Sequence, residues 1–280
     1  MRPLLLTGAA GVLGRALSPL LNGGCRPLDR LLGEDLAHRK TTRSAVRGCR
    51  GVIHLAACAR VGRCEADPEA AFRDNVTATA NVLDAAAAEG AWVLLVSSRE
   101  VYGQPDLLPA GPGTALRPQN VYGRTKAGAE ALAEGRNVAV VRLANVYGAA
   151  GDHPDRLVPG WLAAARTGAP LQVRGADHTL DLVHVDDVLD GLLRVVARLD
   201  AGHTLSTLLL CSGEETRLGD LARALKGSSP LLHVPAAPHE VRRFVGDPAP
   251  AFATLGWRPR ISLSRGLAAL QFAPPHEASK

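Results

Sequence analysis

Tyr122 and Lys126 are the residues of this sequence best suited to proton transfer, because they stand four positions apart in a helix-like stretch. Residues four apart on a helix share a face, so we expect the lysine ammonium to lie near the phenol and to lower its pKa. A tyrosine placed in this way can exchange a proton with a substrate hydroxyl. Ser98 follows an apolar run and is expected to donate a hydrogen bond to the same substrate oxygen. The alternative is a surface tyrosine and lysine without a shared role.

Three glycines near the N-terminus, Gly8, Gly11 and Gly14, separate an apolar run at residues 3–6 from a helical pattern that continues to Leu21. A glycine turn between a strand and a helix lets the backbone approach a pyrophosphate and presents the helix N–H groups to it. This pattern predicts a bound NAD or NADP, which would exchange a hydride with the carbon that carries the substrate oxygen. The alternative is an ordinary turn.

The residues at the end of the second predicted strand bear on the choice of cofactor. Asp29 could accept hydrogen bonds from both ribose hydroxyls of an adenosine, which favours NAD. Arg30 follows directly and could instead face a 2′-phosphate, so NADP stays an alternative. As surface loop residues, the two would have no role in binding.

Composition and charge narrow the class of protein. The chain has 280 residues, 46% of them hydrophobic, a net charge of +5 and five cysteines at irregular spacing. No cysteine spacing suits zinc, so we expect no metal site and reduced thiols. Neither a signal peptide nor a membrane span is indicated, which predicts a cytoplasmic protein. The basic residues form no nucleic-acid motif, so a small anionic ligand is the expected partner.

Strand-like and helix-like segments alternate along the first half of the chain, which predicts an α/β fold with a Rossmann-like, doubly wound parallel sheet. The predicted helices cover 68–89 and 121–134. The predicted strands cover 3–6, 26–29, 51–57, 92–96, 138–143 and 207–210.

The pattern changes after residue 148, where Gly, Pro and Asp become frequent and the strands become shorter. We therefore expect an NAD(P)-binding domain at 1–148 and a smaller substrate-binding lobe at 149–280. Part of 180–212 is expected to return to the first domain, so that the two are interleaved.

Several motifs together resemble the extended short-chain dehydrogenase/reductase family, which modifies nucleotide sugars. Beyond the glycine turn TGAAGVLG, the resemblance is carried by HLAA at 54–57, DNVTATANVL at 74–83, SSREVYG at 97–103, NVYGRTK at 120–126, RLANVYG at 142–148, LDLVHVDDV at 180–188 and LGWRP at 255–259.

The resemblance implies roles for particular residues and a homodimer. Ser98, Tyr122 and Lys126 would form the catalytic triad, and a nucleotide sugar would be the substrate. The sugar nucleotide and its phosphates would be bound by Ser98, Asn145, Arg174, Arg242 and Arg243. The cofactor would be held by Gly8, Ala10, Gly11, Val12, Leu13, Gly14, Asp29, Arg30, Asp35, Leu36, Leu55, Ala56, Ala57, Asn75, Tyr122 and Lys126.

Glu100 bears on the type of reaction, because the resemblance implies that a glutamate here does acid/base work in dehydratases and decarboxylases. The alternative is an ion pair between Glu100 and Arg99. Since Arg99 stands where hexose 4,6-dehydratases have an aspartate, a plain dehydratase is disfavoured. We expect an epimerase/dehydratase-type enzyme that works through a transient 4-keto sugar.

Two other functions remain open. The short span from Gly14 to His54 is similar to NADPH-dependent reductases of the dTDP-4-dehydrorhamnose type. Leu180 stands where many relatives have a phosphate-binding arginine, which leaves free sugar acids or non-sugar ketones as alternative substrates. A non-catalytic NAD(P)-binding regulator is the alternative from another class, and the intact Ser98, Tyr122 and Lys126 argue against it.

Overall fold

The computed structural model describes residues 2–21 and 24–272, and Phe272 only in its backbone. A six-stranded, wholly parallel sheet forms its centre, with the strand order β2-β1-β3-β4-β5-β9. Its strands are β1 (Leu4–Thr7), β2 (Cys25–Leu28), β3 (Gly51–His54), β4 (Trp92–Ser98), β5 (Val138–Leu143) and β9 (Leu208–Leu210). This order reverses between β1 and β3, and doubly wound sheets bind ligands in the crevice at such a reversal.

Helices cover both faces of the central sheet, and each face has its own apolar cluster. β1, β3 and β4 are apolar and buried on both sides, as parallel strands under helices must be. The described helices are α1 (Val12–Leu17), α2 (Arg39–Val46), α3 (Val61–Ala66), α4 (Pro68–Phe72), α5 (Ala78–Glu89), α6 (Val121–Ala131), α7 (Leu157–Thr167), α8 (Val185–Asp200), α9 (Leu218–Leu225), α10 (Ala249–Leu255) and α11 (Leu263–Phe272). The predicted Rossmann-like fold is confirmed.

Five further strands form two small sheets beside the central one. The strands are β6 (Asn145–Tyr147), β7 (Leu171–Arg174), β8 (Thr179–His184), β10 (Glu215–Arg217) and β11 (Leu231–Val234). One sheet has the order β10-β8-β6 and the other pairs β11 with β7. A third apolar cluster, which includes Trp161, Leu171 and Leu221, joins these sheets to α7 and α9. β9 then returns to the central sheet, so the chain crosses between the two regions more than once.

The main departure from the predicted elements lies in the stretch 68–89, which is not one continuous α-helix. A π-helical turn at Arg73–Thr77 separates α4 from α5. Such turns contain one extra residue and occur frequently at functional sites. Helical periodicity alone did not reveal it. Within the described residues, no helix combines the length and apolarity needed to cross a membrane.

Candidate active site

The glycine turn at residues 8–14 is shaped by close backbone contacts. Gly8 has φ +69°, and a Cβ there would lie 2.7 Å from the Ala56 nitrogen. A Cβ on Gly14 would lie 2.2 Å from the Gly8 oxygen, so α1 could not pack in this position with any larger residue. Gly11 differs, because its Cβ would meet only the Gly8 oxygen, at 3.1 Å. The turn is therefore less crowded at Gly11 than at Gly8 or Gly14.

Acidic residues surround Arg30 at the end of β2. Asp29 accepts hydrogen bonds from the Ala10 nitrogen at 3.1 Å and from the Leu31 nitrogen at 2.9 Å. Arg30 donates to both oxygens of Asp74, at 3.0 and 2.7 Å, and approaches Asp35 at 3.4 Å. The hydrogen bond to Asp74 raises the pKa of Arg30. The exposed guanidinium is thus paired with two carboxylates.

The start of α6 places Tyr122 against the end of β4. Asn120 caps the helix, since its side-chain oxygen accepts from the Gly123 nitrogen at 2.7 Å. Glu65 accepts a second hydrogen bond, from the Val121 nitrogen at 2.6 Å. A Cβ on Gly123 would lie only 2.4 Å from the backbone oxygen of Glu100. The helix therefore packs directly on the turn that follows β4. This close approach brings Tyr122 to Ser98.

Tyr122 and Ser98 both line a cavity of about 560 Å³, where the Ser98 hydroxyl is close enough to the phenol to affect its pKa. Burial raises the pKa of Tyr122 to about 12, the Ser98 hydroxyl opposes this shift, and the Glu100 carboxylate adds to it. The predicted lowering of the phenol's pKa is therefore wrong for this structure, because the loss of solvation outweighs any favourable neighbouring charge. The phenol is protonated at neutral pH.

Lys126 lies one turn further along α6, where it is 3% exposed and donates to the Val96 oxygen at 2.7 Å. Burial lowers its pKa to about 8. His54 lies in the same interior, between the hydroxyls of Thr7 at 2.7 Å and Thr79 at 3.0 Å. Burial, with the Lys126 charge acting in the same direction, lowers the pKa of His54 to about 3. The neutral imidazole therefore bridges β1, β3 and α5 beneath the site.

Asn75, in the π-helical turn, fixes the segment that follows β3. Its side-chain oxygen accepts a hydrogen bond from the Cys58 backbone nitrogen at 2.7 Å. Its side-chain nitrogen donates to the Cys58 backbone oxygen at 3.1 Å and to the Thr125 hydroxyl at 2.8 Å. Both amide hydrogens are therefore used within the protein. Asn75 holds residues 57–59 against α6, and it does not line the cavity as a direct cofactor contact would.

The cavity around Tyr122, called here the first cavity, lies between the glycine turn and α6. Of the predicted cofactor residues, Val12, Leu13, Leu55, Ala57, Tyr122 and Lys126 line it. The Ala56 backbone nitrogen instead donates a hydrogen bond to the Thr7 hydroxyl at 3.3 Å. Leu36 is 5% exposed and belongs to the apolar cluster on one face of the sheet. Since the Leu36 side chain is buried, the predicted contact with the adenine would be made by Asp35 or by the backbone.

Glu100 and Arg99 form a buried pair at the edge of the first cavity. Glu100 Oε1 lies 2.7 Å from Arg99 Nη2, and Glu100 Oε2 accepts from the Asn120 amide at 2.7 Å. Arg99 also donates through Nε to the Asn145 oxygen at 3.1 Å. The ion pair between Glu100 and Arg99 is present, and Glu100 also lines the first cavity with Tyr122. The acid/base role of Glu100 stays a prediction.

A second cavity of about 710 Å³ continues from the first. The two share walls made by Val61, Gly62, Arg99, Glu100, Asn145, Asp155, Arg156 and Leu157. Of the predicted phosphate-binding residues, only Arg174 lines the second cavity. Arg243 pairs with Glu215 at 2.5 and 2.8 Å, and neither it nor Arg242 reaches either lining. Leu180 lines the second cavity in place of an arginine.

Several charged lining residues were missed by the sequence reasoning. Arg60 forms an ion pair with Asp155, and Arg156 pairs with Asp152. His178 and His239 line the second cavity. They come from loops and short elements distant in sequence, so no local pattern indicates them. In the part of the chain that the structure describes, no cluster of three or more His, Cys, Asp or Glu side chains could hold a metal ion.

Comparison with known proteins agrees with this geometry. GDP-6-deoxy-D-mannose reductase of Pseudomonas aeruginosa is 30% identical over 240 residues, with 78% of each chain covered. dTDP-glucose 4,6-dehydratase of Streptomyces griseus is 29% identical, covering 95% of this chain and 92% of that one. The structure of MoeE5 with UDP-glucose and NAD has a TM-score of 0.84 at 28% identity, covering 95% and 96% of the two chains. A further MoeE5 structure holds UDP-glucuronic acid and NAD.

The family model of the NAD dependent epimerase/dehydratase family matches residues 4–208, which is most of the chain. The match spans the glycine turn, residues 57–59 held by Asn75, and Tyr122 with Lys126. The chain belongs to the NAD dependent epimerase/dehydratase family and is an enzyme of the short-chain dehydrogenase/reductase type.

Proposed function

We propose that this protein interconverts nucleotide sugars through a transient 4-keto sugar, with NAD as its cofactor. The observation that carries the proposal is that Tyr122, Ser98, Lys126 and the first residues of α1 all line one cavity, with the Ser98 hydroxyl close enough to the phenol to oppose the rise in its pKa. A proton-transfer group and a dinucleotide turn that open on one space are the two parts that such a reaction requires.

The cofactor fits the residues present. The space beside Gly11 would take the pyrophosphate, Asp29 the ribose, and the walls made by Leu55 and Ala57 the rest of the dinucleotide. NAD, when bound, supplies a hydride acceptor that returns the hydride later in the cycle. Asp29, Asp35 and Asp74 together place negative charge around Arg30, which favours NAD over NADP.

The protein's own residues move the proton. Tyr122 must first lose its own phenolic proton; the phenolate then takes the proton of the C4 hydroxyl as the C4–H bond breaks, and the phenol returns a proton to the C4 oxygen when the ketone is reduced. Ser98 donates a hydrogen bond to that oxygen, and the Lys126 ammonium favours the phenolate form of Tyr122. Glu100 faces the sugar beside this centre, where it can hold or transfer a second proton.

The remaining assignments belong to the same proposal. Residues 1–148, together with part of 180–212, would hold the cofactor, and residues 149–280 would hold the nucleotide sugar, with Arg174 and Asn145 among its contacts. We also propose that the protein is a cytoplasmic homodimer, and light scattering of the purified protein tests the dimer.

An NADPH-dependent 4-keto-sugar reductase is the second candidate, since a relative that is 30% identical is a GDP-6-deoxy-D-mannose reductase. The two cycles differ in cofactor retention. An epimerase-type cycle re-reduces its own ketone and keeps its NAD, whereas a reductase must release the oxidised cofactor at each turnover. Measuring NAD(H) released when the purified protein is denatured separates them: stoichiometric NAD supports the proposal, and an empty protein that binds NADPH supports the reductase.

Replacing Tyr122 with Phe tests the catalytic assignment. We expect kcat to fall by about a thousandfold with a converted nucleotide hexose, since general acid–base catalysis contributes about 10²–10⁴. NAD content should not change. Tyr102→Phe is the matched control, because Tyr102 is buried against Arg142 and lies outside both cavities. Equal activity of Tyr122→Phe and the wild type would disprove the role of Tyr122.

A further inference from the structure

Arg99 has one nitrogen that the protein does not use. The residue is 6% exposed, its Nη2 lies 2.7 Å from Glu100 and its Nε lies 3.1 Å from Asn145. The guanidinium carbon lies 5.5 Å from the centre of the Phe244 ring, which limits its movement further. Nη1 is buried and has no hydrogen-bond acceptor among the described residues. A buried donor without a partner is costly, so its presence beside a cavity indicates a ligand acceptor.

The position of Arg99 identifies which part of a ligand Nη1 would meet. Arg99 lines both cavities, and it follows Ser98 directly at the end of β4. Ser98 and Tyr122 line the first cavity together with Arg99, so the reacting carbon of a substrate would lie next to Arg99. An acceptor at Nη1 would therefore belong to the sugar, on an atom close to C4, and not to the distant nucleotide.

A second buried donor in the first cavity is also unsatisfied. Ser97 is 3% exposed, its hydroxyl has no partner among the described residues, and it lines the first cavity together with Arg99. These two unsatisfied donors, with the buried Tyr147 hydroxyl that also lines this cavity and has no partner in the described part of the chain, call for a group that accepts hydrogen bonds. A carboxylate accepts several and donates none, whereas a hydroxymethyl group offers a single oxygen that must also place its own hydrogen.

The charge of the first cavity points the same way. Its lining includes five cationic residues and three acidic ones: Arg60, Arg63, Arg99, Lys126 and Arg156 against Glu100, Asp152 and Asp155. A guanidinium-to-carboxylate hydrogen bond is roughly twice as strong as one between neutral groups. A negatively charged substituent on the sugar is therefore stabilised here more than a neutral one.

We propose that the sugar of the substrate is a uronic acid, whose carboxylate accepts hydrogen bonds from Arg99 Nη1 and from the Ser97 hydroxyl. This proposal rests on the proposed function, because it assumes a nucleotide sugar at Tyr122. It makes Arg99 the residue that distinguishes a sugar acid from the corresponding neutral hexose.

The test compares dissociation constants for matched pairs of ligands by calorimetry, using the NAD-loaded Tyr122→Phe protein so that turnover does not interfere. The pairs are UDP-glucuronate with UDP-glucose, UDP-galacturonate with UDP-galactose, and GDP-mannuronate with GDP-mannose. We expect at least one uronate to bind at least about tenfold more tightly than its neutral partner, as expected for a charge-assisted hydrogen bond.

Variants in the same background assign the preference to Arg99. Arg99→Gln should remove the preference, Arg99→Lys should retain part of it, and Ser97→Ala should reduce it a few-fold. Arg99→Gln leaves Glu100 without its cation, so Arg99→Gln/Glu100→Gln provides a neutral pair if the single variant fails to fold. Arg117→Gln is the matched control, because it removes an arginine from an exposed ion pair with Asp106.

Three results would overturn the proposal: no uronate binds, the uronate and the hexose bind equally, or Arg99→Gln keeps the preference. These results differ from a failure of the proposed function. If the wild-type protein retains NAD and converts a neutral hexose while rejecting every uronate, the proposed function stands and the assignment of a uronic acid fails. If the protein retains no NAD and converts no nucleotide sugar, the proposed function fails first.

Discussion

The two sides of the crevice are built from different kinds of group. Around the glycine turn the walls are backbone and small or apolar side chains, such as Val12, Leu13 and Ala57. Around the second cavity they include charged side chains such as Arg156, Arg174 and Glu240. A dinucleotide must be approached by backbone, which requires steric fit. The substrate side instead depends on charges brought together from distant parts of the chain, so it can differ between proteins of one fold.

Substitution of two glycines gives the largest expected effect and tests whether the cofactor side is shaped by sterics. Gly14→Ala places a methyl group 2.2 Å from the Gly8 oxygen, and we expect the free energy of unfolding to fall by about 3 kcal/mol, with loss of NAD binding. Gly11→Ala is the matched control, because Gly11 has the ordinary φ of −69°. It should change the free energy of unfolding by less than about 1 kcal/mol and still prevent NAD binding.

Urea unfolding and NAD titration measure the two effects separately. Equal stability of the two alanine variants would show that the close contact at Gly14 does not shape the turn. Normal NAD binding by Gly11→Ala would show that the space beside this residue is not the pyrophosphate site.

Acid sensitivity should originate on the cofactor side, in His54. Its pKa is about 3 in the folded protein and about 6.5 when exposed, so the unfolded chain binds the proton more tightly. The stability from neutral His54 is fully present above pH 6.5 and is lost as the pH falls toward 3. We expect a loss of about 2 kcal/mol at pH 5. Urea unfolding at pH 7.5 and 5 should show a smaller loss in His54→Gln, and equal losses would contradict this assignment.

The choice between NAD and NADP tests the charged residues at the end of β2, on the cofactor side of the crevice. Asp74→Asn removes a carboxylate from Arg30 and leaves its guanidinium able to face a 2′-phosphate. We expect the affinity for NADP to rise by about tenfold relative to NAD, which corresponds to about 1.4 kcal/mol. Fluorescence titration with NADH and NADPH measures this ratio. Asp84→Asn, in an exposed ion pair with Arg39, is the control and should leave the ratio unchanged.

The smallest expected effect on stability lies on the substrate side. Asp155 is 54% exposed and pairs with Arg60, so Asp155→Asn should lower the free energy of unfolding by less than about 1 kcal/mol. Removing a negative charge from the shared wall should raise the affinity for a nucleotide diphosphate sugar several-fold, as calorimetry would show. A stability loss above about 2 kcal/mol would mean that this pair supports the fold and that the contrast between the two sides is false.

The same contrast explains what the sequence could predict. The glycine spacing, the apolar strands and the four-residue step from Tyr122 to Lys126 are local patterns, and they predicted the fold, the cofactor and the region of the active site. The bridge made by His54 and the contacts of Asn75 with Cys58 and Thr125 depend on residues far apart in sequence. Arg242 and Arg243 were placed by resemblance alone, and the structure keeps both away from the cavities.

The pKa of Tyr122 shows the limit of reasoning from spacing. The four-residue step fixes which helix face carries the lysine, but the shift also depends on how much solvent each group loses. That loss is set by the packing of α6 on the turn at Glu100, through Gly123. Packing is a tertiary property, so the direction of the pKa shift of Tyr122 could not be obtained from the sequence.

The wall shared by the two cavities would couple cofactor and substrate binding if the cofactor lies in one cavity and part of the substrate in the other. Arg99, Glu100, Asn145 and Arg156 border both spaces, so ligands in the two spaces would meet the same side chains. Thermodynamic linkage makes the effect reciprocal: the factor by which the substrate tightens or loosens cofactor binding equals the factor in the opposite direction. The affinity of either ligand is therefore defined only together with the occupancy of the other.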